Sequence, residues 1–148
     1  MTNSCEFCDK NIDNQEIFRT DYMKVLCPHR PVIDKHLIIM PINHVGMFDE
    51  LSGDEVLDCF SVIKQIKESF GSVYGMIGYN LMVNNGKKAG QKIPHIHIHF
   101  FPRFEGEIIS PFKAMSDQNN KVILSEQELD DKIKSLKNVR FYKKNPSP

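Results

Sequence analysis

The stretch His95-Ile96-His97-Ile98-His99-Phe100-Phe101 decides the reading of this chain. Imidazole and apolar side chains alternate with a period of two, the period of a β-strand. A strand over residues 93–101 puts His95, His97 and His99 on one face and Ile96, Ile98 and Phe100 on the other. The second face is a core face. The first collects three of the chain's six histidines. Protonated, such a row repels itself, and it gives up apolar strand positions, so a merely solvated face is a poor account of it. A metal site and phosphate chemistry both fit. Neutral imidazole, with an ordinary pKa of about 6.5, is a competent nucleophile near neutral pH and needs no separate base. A phosphorus–nitrogen bond to it would split one hard displacement into two easier ones. Neighbouring imidazoles could donate hydrogen bonds to the phosphoryl oxygens.

Directly upstream, Asn84-Asn85-Gly86-Lys87-Lys88-Ala89-Gly90 and then Gln91 form a loop of turn formers, whose glycines would let backbone N–H groups approach a phosphate. Residues 78–83 (GYNLMV) before it read as a strand, as do residues 22–27 (YMKVLC) and residues 36–40 (HLIIM), the last ended by Pro41. Ser52-Gly-Asp-Glu55 is a capping box opening a long helix. Val56, Phe60, Ile63, Ile66 and Phe70 form its apolar stripe, and Gly71 is its expected stop. Ser125-Glu-Gln-Glu128 opens a second, short helix running to about Leu136. Residues 105–121 have no clear pattern, and residues 143–148 are expected to be disordered. Strands set apart by one long helix indicate an α+β domain.

The 148 residues suit a single domain with a real core. Formal net charge is zero, which argues against nucleic acid as a standing partner and leaves a local pocket for a small nucleotide open. The polar, acidic start, MTNSCEFCDKNIDNQE, lacks the apolar centre of a secretory signal, and no apolar run is long enough to span a bilayer. A cytoplasmic protein is expected, in which the four cysteines are thiols or metal ligands. Cys5 and Cys8 make a C-x-x-C pair; Cys27 and Cys59 sit in apolar stretches as core thiols. The methionines at 40, 47, 76 and 82 read as core or pocket wall. Phe7, Phe18 and Phe48 could wall a base pocket or simply pack.

Gly90-Gln91-x-Ile93-x-His95-x-His97-x-His99-x-Phe101-Pro102-Arg103 resembles the motif of the histidine-triad (HIT) superfamily, His-φ-His-φ-His-φ-φ with φ apolar. The likeness extends from Cys5 to about Arg103. It takes in His36-Leu-Ile-Ile-Met-Pro41-x-x-His44 and the strand and loop from Asn80 to Gly86, and is nearest to the bacterial Hit-like branch with an N-terminal C-x-x-C. It implies an α+β fold: an antiparallel sheet of about five strands, one long helix and a short C-terminal helix. One HIT domain would span residues 1–148, with its core at 5–103 and a C-terminal extension at 104–148. It further implies a homodimer extending the sheet.

The same resemblance implies that His97 attacks an α-phosphorus and that His99 and His36 line the α-phosphate site. Gln91 would reach the scissile bridging atom, Asn84 and Gly90 would help hold the phosphate, and the carbonyl of His95 would orient His97. It implies structural zinc on Cys5, Cys8, His44 and His95, a Cys₂His₂ set. The substrate class would be purine nucleotides: nucleoside phosphoramidates or dinucleoside polyphosphates. Two positions depart from the family pattern. Lys92 stands where Ser or Thr is usual after Gln91, and Pro28 stands where a ribose-binding Asp or Asn is usual, with His29 a substitute for that contact. A nucleotidyl transferase, a non-catalytic nucleotide-binding or scaffold protein, and a hydrolase with catalytic zinc are the rival readings.

Overall fold

The computed structural model describes residues 4–107, 110, 112, 113 and 122–141. Within them five strands form one sheet: β1 (Glu16–Arg19), β2 (Met23–Leu26), β3 (Leu37–Pro41), β4 (Gly78–Val83) and β5 (Ile98–Arg103). Their order is β1-β2-β3-β5-β4, and every pairing is antiparallel. Among the described residues, the helices that pack on the sheet are α1 (Gly53–Tyr74) and α2 (Glu126–Lys137). This is the expected α+β arrangement. The expectation for residues 143–148 lies outside the described residues.

The unbroken apolar run of β3 follows from its place in the middle of the sheet, where both faces are covered. Leu37 and Ile39 turn toward the helices. There they pack with Val25, Ile98, Phe100, and with Ile63, Ile66 and Phe70 of α1 and Leu129, Ile133 and Leu136 of α2. Ile38 and Met40 turn the other way, onto a smaller cluster with Phe7, Ile12 and Leu26, supplied largely by the N-terminal segment. The register pairs Ile38 with His99 and Leu37 with Phe100. The alternation of β5 is thereby set: Ile98 and Phe100 enter the main core, and His99 stands on the N-terminal face.

Three expectations are corrected. β5 begins at Ile98, so residues 93–97 are not strand. Pro94 has no N–H to give, and the Pro41 carbonyl, beyond the last β3–β5 pair, is taken by the His95 ring instead of a backbone partner. Helix α1 runs through Gly71 and stops at Gly75, whose φ of 70° is the left-handed cap conformation that glycine adopts without penalty. Its buried stripe is Glu55, Cys59, Val62, Ile63, Ile66, Ser69 and Phe70, whereas Phe60 is exposed. Strand β1 is an addition; its four residues, EIFR, carry no usable period.

The α1 start behaves as its capping box requires. Ser52 Oγ accepts from the Glu55 N–H at 3.2 Å, and the Glu55 carboxylate accepts from the Ser52 N–H at 2.8 Å. Phe70 is fully buried at the centre of the main core. Denaturant titration should therefore show a loss of about 1 kcal/mol for Ser52→Ala and about 3–5 kcal/mol for Phe70→Ala. A smaller loss at Phe70 than at Ser52 would contradict this packing.

Candidate functional site

The triad histidines sit where β5 emerges from the extended segment before it. Their rings gather on the N-terminal face of the sheet although only His99 lies in a strand. His97 packs edge-on against His99 at 5.1 Å between centroids, and His99 lies parallel to Phe101 at 5.8 Å. His97 is half-buried, and burial lowers its pKa, partly offset by a backbone hydrogen bond.

That hydrogen bond settles the tautomer. His97 Nδ1 lies 2.9 Å from the His95 carbonyl oxygen, which can only accept. The proton is thus on Nδ1 and the lone pair on Nε2. His36 is fixed in the opposite sense. The Val32 N–H donates to His36 Nδ1 at 3.1 Å, so the ring proton is on Nε2. That Nε2 lies 2.9 Å from His99 Nδ1, which must accept, and the proton of neutral His99 falls on its Nε2. Two backbone groups thereby determine three imidazoles. His36 is 2% exposed, and burial, then the charges of His99 and His97, hold its pKa well below the ordinary value. Both its nitrogens are engaged, Nδ1 by the Val32 N–H and Nε2 by His99, beside which the resemblance places the phosphate.

Gln91 follows the glycine-rich loop. Its side chain is buried and ties the preceding loop together. Oε1 accepts from the Gly86 N–H at 2.7 Å, while Nε2 donates to the carbonyls of Gly46 at 2.9 Å and Ile93 at 3.1 Å. The amide is therefore a clamp between three segments. Gly86 and Gly90 bound the loop with φ of 95° and 92°, and a Cβ at Gly90 would stand 3.9 Å from the half-buried Asn84 side chain. Lys87, Lys88 and Lys92 are exposed around it, and Pro28 is buried while His29 is exposed. Phe18 stacks on Phe141 at 4.1 Å as a packing residue, and Phe48 is 45% exposed.

The second constellation lies beside the first. Donor atoms of Cys5, Cys8, His44 and His95 all fall within 4.8 Å of one another. His95 Nδ1 is 3.6 Å from Cys5 Sγ and 3.4 Å from Cys8 Sγ, and His44 Nδ1 is 3.4 Å from Cys8 Sγ. The chemistry of the set fits a tetrahedral zinc: two sulfurs, two imidazoles and S–N separations near the edge of such a tetrahedron. His95 Nε2 donates to the Pro41 carbonyl at 2.9 Å, which puts the proton away from the sulfurs and the Nδ1 lone pair toward them. A backbone carbonyl orienting a ligating imidazole is the usual outer support of such a site. Cys27 and Cys59 are buried thiols, each pushed up to about 11, first by burial.

Two further residues reach this site: Phe7, read from the sequence only as base wall or packing, and Lys24, which sequence reasoning missed. Phe7 lies between the two cysteines and touches both His95 and His97. Lys24 is buried, with Nζ donating to the Phe7 carbonyl at 3.0 Å. The second was signalled only by a lysine inside the apolar run YMKVLC.

Residues 9–106 match the HIT domain family, about two thirds of the chain. An uncharacterized HIT-like protein of Methanocaldococcus jannaschii is 29% identical over 70% of this chain and 79% of its own length. A bifunctional bis(5'-adenosyl)-triphosphatase/adenylylsulfatase of Arabidopsis thaliana is 27% identical over 93% of this chain and 72% of its own. The crystal structure of a Zn-bound histidine triad family protein from Mycobacterium smegmatis superposes with a TM-score of 0.64 at 23% identity, covering 93% and 98% of the two chains. The motif, the five-stranded antiparallel sheet and the family match agree, and the chain belongs to the HIT domain family.

Proposed function

We propose that this chain is a nucleotide hydrolase that cleaves at the α-phosphate through a nucleotidyl–His97 intermediate. The observation that carries the reading is the Nδ1–H bond of His97 to the His95 carbonyl, which leaves Nε2 as an oriented, unprotonated nucleophile. Purine nucleoside phosphoramidates and dinucleoside polyphosphates are the substrate classes. The Arabidopsis relative, named for bis(5'-adenosyl)-triphosphate and adenylyl sulfate hydrolysis, supports that chemistry.

The steps balance without an outside reagent. The Nε2 lone pair forms a bond to the α-phosphorus as the bond from phosphorus to the leaving group breaks. The leaving group departs with that electron pair and takes a proton from solvent, which is returned when the attacking water loses its own. Water then attacks the same phosphorus, releasing the nucleoside monophosphate and returning the lone pair to His97. His99, its proton on Nε2 through the chain from Val32 and His36, serves as a hydrogen-bond donor to a phosphoryl oxygen, where charge grows in the transition state. Gln91 holds the 84–90 loop, with Asn84 and Gly90, in the form that meets the phosphate.

Zinc is assigned to Cys5, Cys8, His44 and His95 in a structural role, because four protein donors complete a tetrahedron and leave no position for a metal-bound water. Bound there, the ion cross-links the N-terminal segment to the residues preceding β5. We also assign a homodimer. β4 is an edge strand, and Ile77, Tyr79 and Leu81 in or beside it are exposed, as are Leu57, Phe60 and Val73 of α1. A second copy pairing along β4 would extend the sheet and cover apolar surface. No helix among the described residues is long and apolar enough to cross a membrane. A reducing, cytoplasmic setting suits four cysteines that form no disulfide, two as metal ligands and two as buried thiols.

His97→Ala should lower turnover of diadenosine triphosphate and adenosine 5'-phosphoramidate by several orders of magnitude, the scale of deleting a covalent nucleophile, with nucleotide affinity roughly kept. Rapid quenching in alkali should trap a nucleotidyl adduct on the wild type only. Near wild-type turnover in the variant would overturn the mechanism. Elemental analysis should find about one zinc per chain, and Cys8→Ala should lose it together with stability; metal-free protein purified under reduction without chelator would refute the site. Light scattering should give about twice the chain mass, and a monomer at micromolar concentration would refute the dimer.

A further inference from the structure

The Cys5–Cys8 turn contains a residue, Phe7, that packs on the nucleophile as well as on the donor His95. The Cys8 N–H donates to the Cys5 carbonyl at 3.0 Å, which closes the turn and sends the Phe7 side chain inward. Its ring lies 5.0 Å from that of His97 with an interplanar angle of 84°, and 5.9 Å from that of His95 at 81°. Phe7 is 5% exposed. That leaves little face for a base to stack on, so the base-wall reading of this residue is a poor fit. Its backbone is held as firmly as its ring. Lys24, on β2 and 5% exposed, extends its ammonium to the Phe7 carbonyl at 3.0 Å and stands 3.6 Å from Asp13. A buried ammonium is costly unless hydrogen-bonded and paired, so its presence here needs the two partners it has.

The His95 carbonyl alone restrains His97 at one atom. That hydrogen bond, with the Cβ tether, fixes which nitrogen is protonated and limits the ring's rotation, but it does not clamp the ring plane; His99 packs edge-on against it at 5.1 Å. A second perpendicular neighbour packed on the ring removes the freedom that remains. We infer that Phe7 is the positioning residue of the nucleophile: held by the Cys5–Cys8 turn and by Lys24, it fixes the plane of the His97 imidazole so that Nε2 points at the α-phosphorus. The inference rests on the proposed role of His97. It makes the metal loop part of the catalytic alignment, with the ring of Phe7 as the connection.

The test uses full-length, zinc-loaded protein with Phe7→Leu and Phe7→Ala, and diadenosine triphosphate or adenosine 5'-phosphoramidate as substrate. Leu keeps the site apolar and filled; Ala opens it. Misaligning a reacting group by about an ångström can cost about a hundredfold in rate. Phe7→Leu should therefore lower kcat and the single-turnover rate of adduct formation by about tenfold, and Phe7→Ala by more, while KM stays within about threefold of wild type. Zinc should remain at wild-type stoichiometry in Phe7→Leu. The His97 ring resonances should move while those of His36 keep their positions, and Phe7→Tyr should recover most of the rate. A raised KM with unchanged kcat would overturn the inference, since Phe7 would then be a wall for the substrate. Loss of zinc from Phe7→Leu, or an adduct rate within twofold of wild type in both variants, would overturn it as well. His97→Ala separates the two claims: if that variant forms no adduct while Phe7→Leu is unimpaired, only the role of Phe7 falls.

Discussion

The bond on which this site depends is the one from His97 Nδ1 to the carbonyl of His95, two residues back in the same chain. An imidazole in water exchanges its proton between nitrogens and offers the attacking lone pair on either. Here the acceptor is a carbonyl oxygen, which has no proton to give, so the ring keeps one tautomer. The carbonyl can sit there only because the segment at 93–97 has left the β-ladder. In a regular strand that group would have pointed across to a neighbour. What looks like a defect at the start of β5 is therefore what turns a row of histidines into an oriented one. His95 serves both ends of this arrangement: its carbonyl holds His97, and its ring bonds the Pro41 carbonyl and faces the two cysteines.

Burial completes the logic. A charged imidazole in the interior is penalised by desolvation, and neighbouring imidazoles add repulsion, so His36 is held neutral and available to relay the Val32 N–H toward His99. The low-exposure environment comes from β3, whose two faces are covered by different layers. Helices α1 and α2 cover one. The N-terminal segment covers the other, and brings Phe7, Cys5 and Cys8 to the histidines. The segment that carries Cys5 and Cys8 is thus the same one that closes the small core beneath the site.

Much of this was legible because it rests on alternation and spacing. The period of two around His97, the capping boxes at Ser52 and Ser125, and the apolar run of β3 each carry their own local physics, and the family resemblance added the order of parts. What was not legible depends on distant contacts. Nothing local tells that α1 passes Gly71 to stop at Gly75, since both glycines can end a helix. Phe60 fits the helical stripe as well as Cys59 does, and only the position of the sheet decides which is covered. Gln91 and His36 were placed at the substrate by resemblance. Both also hydrogen-bond within the protein, Gln91 to the carbonyl of Gly46 and His36 to the N–H of Val32, contacts that no residue spacing announces. Lys24 shows the same limit: a buried lysine makes sense only once the Phe7 carbonyl lies 3.0 Å away.

The central claim is that backbone groups, and not the histidines alone, choose which nitrogen of His97 is free to attack. Long-range proton–nitrogen correlation spectra of ¹⁵N-histidine-labelled protein near neutral pH read this directly. The account predicts a single neutral form of His97 protonated at Nδ1, with His36 and His99 protonated at Nε2. A His97 ring protonated at Nε2, or an even mixture of its tautomers, would contradict it.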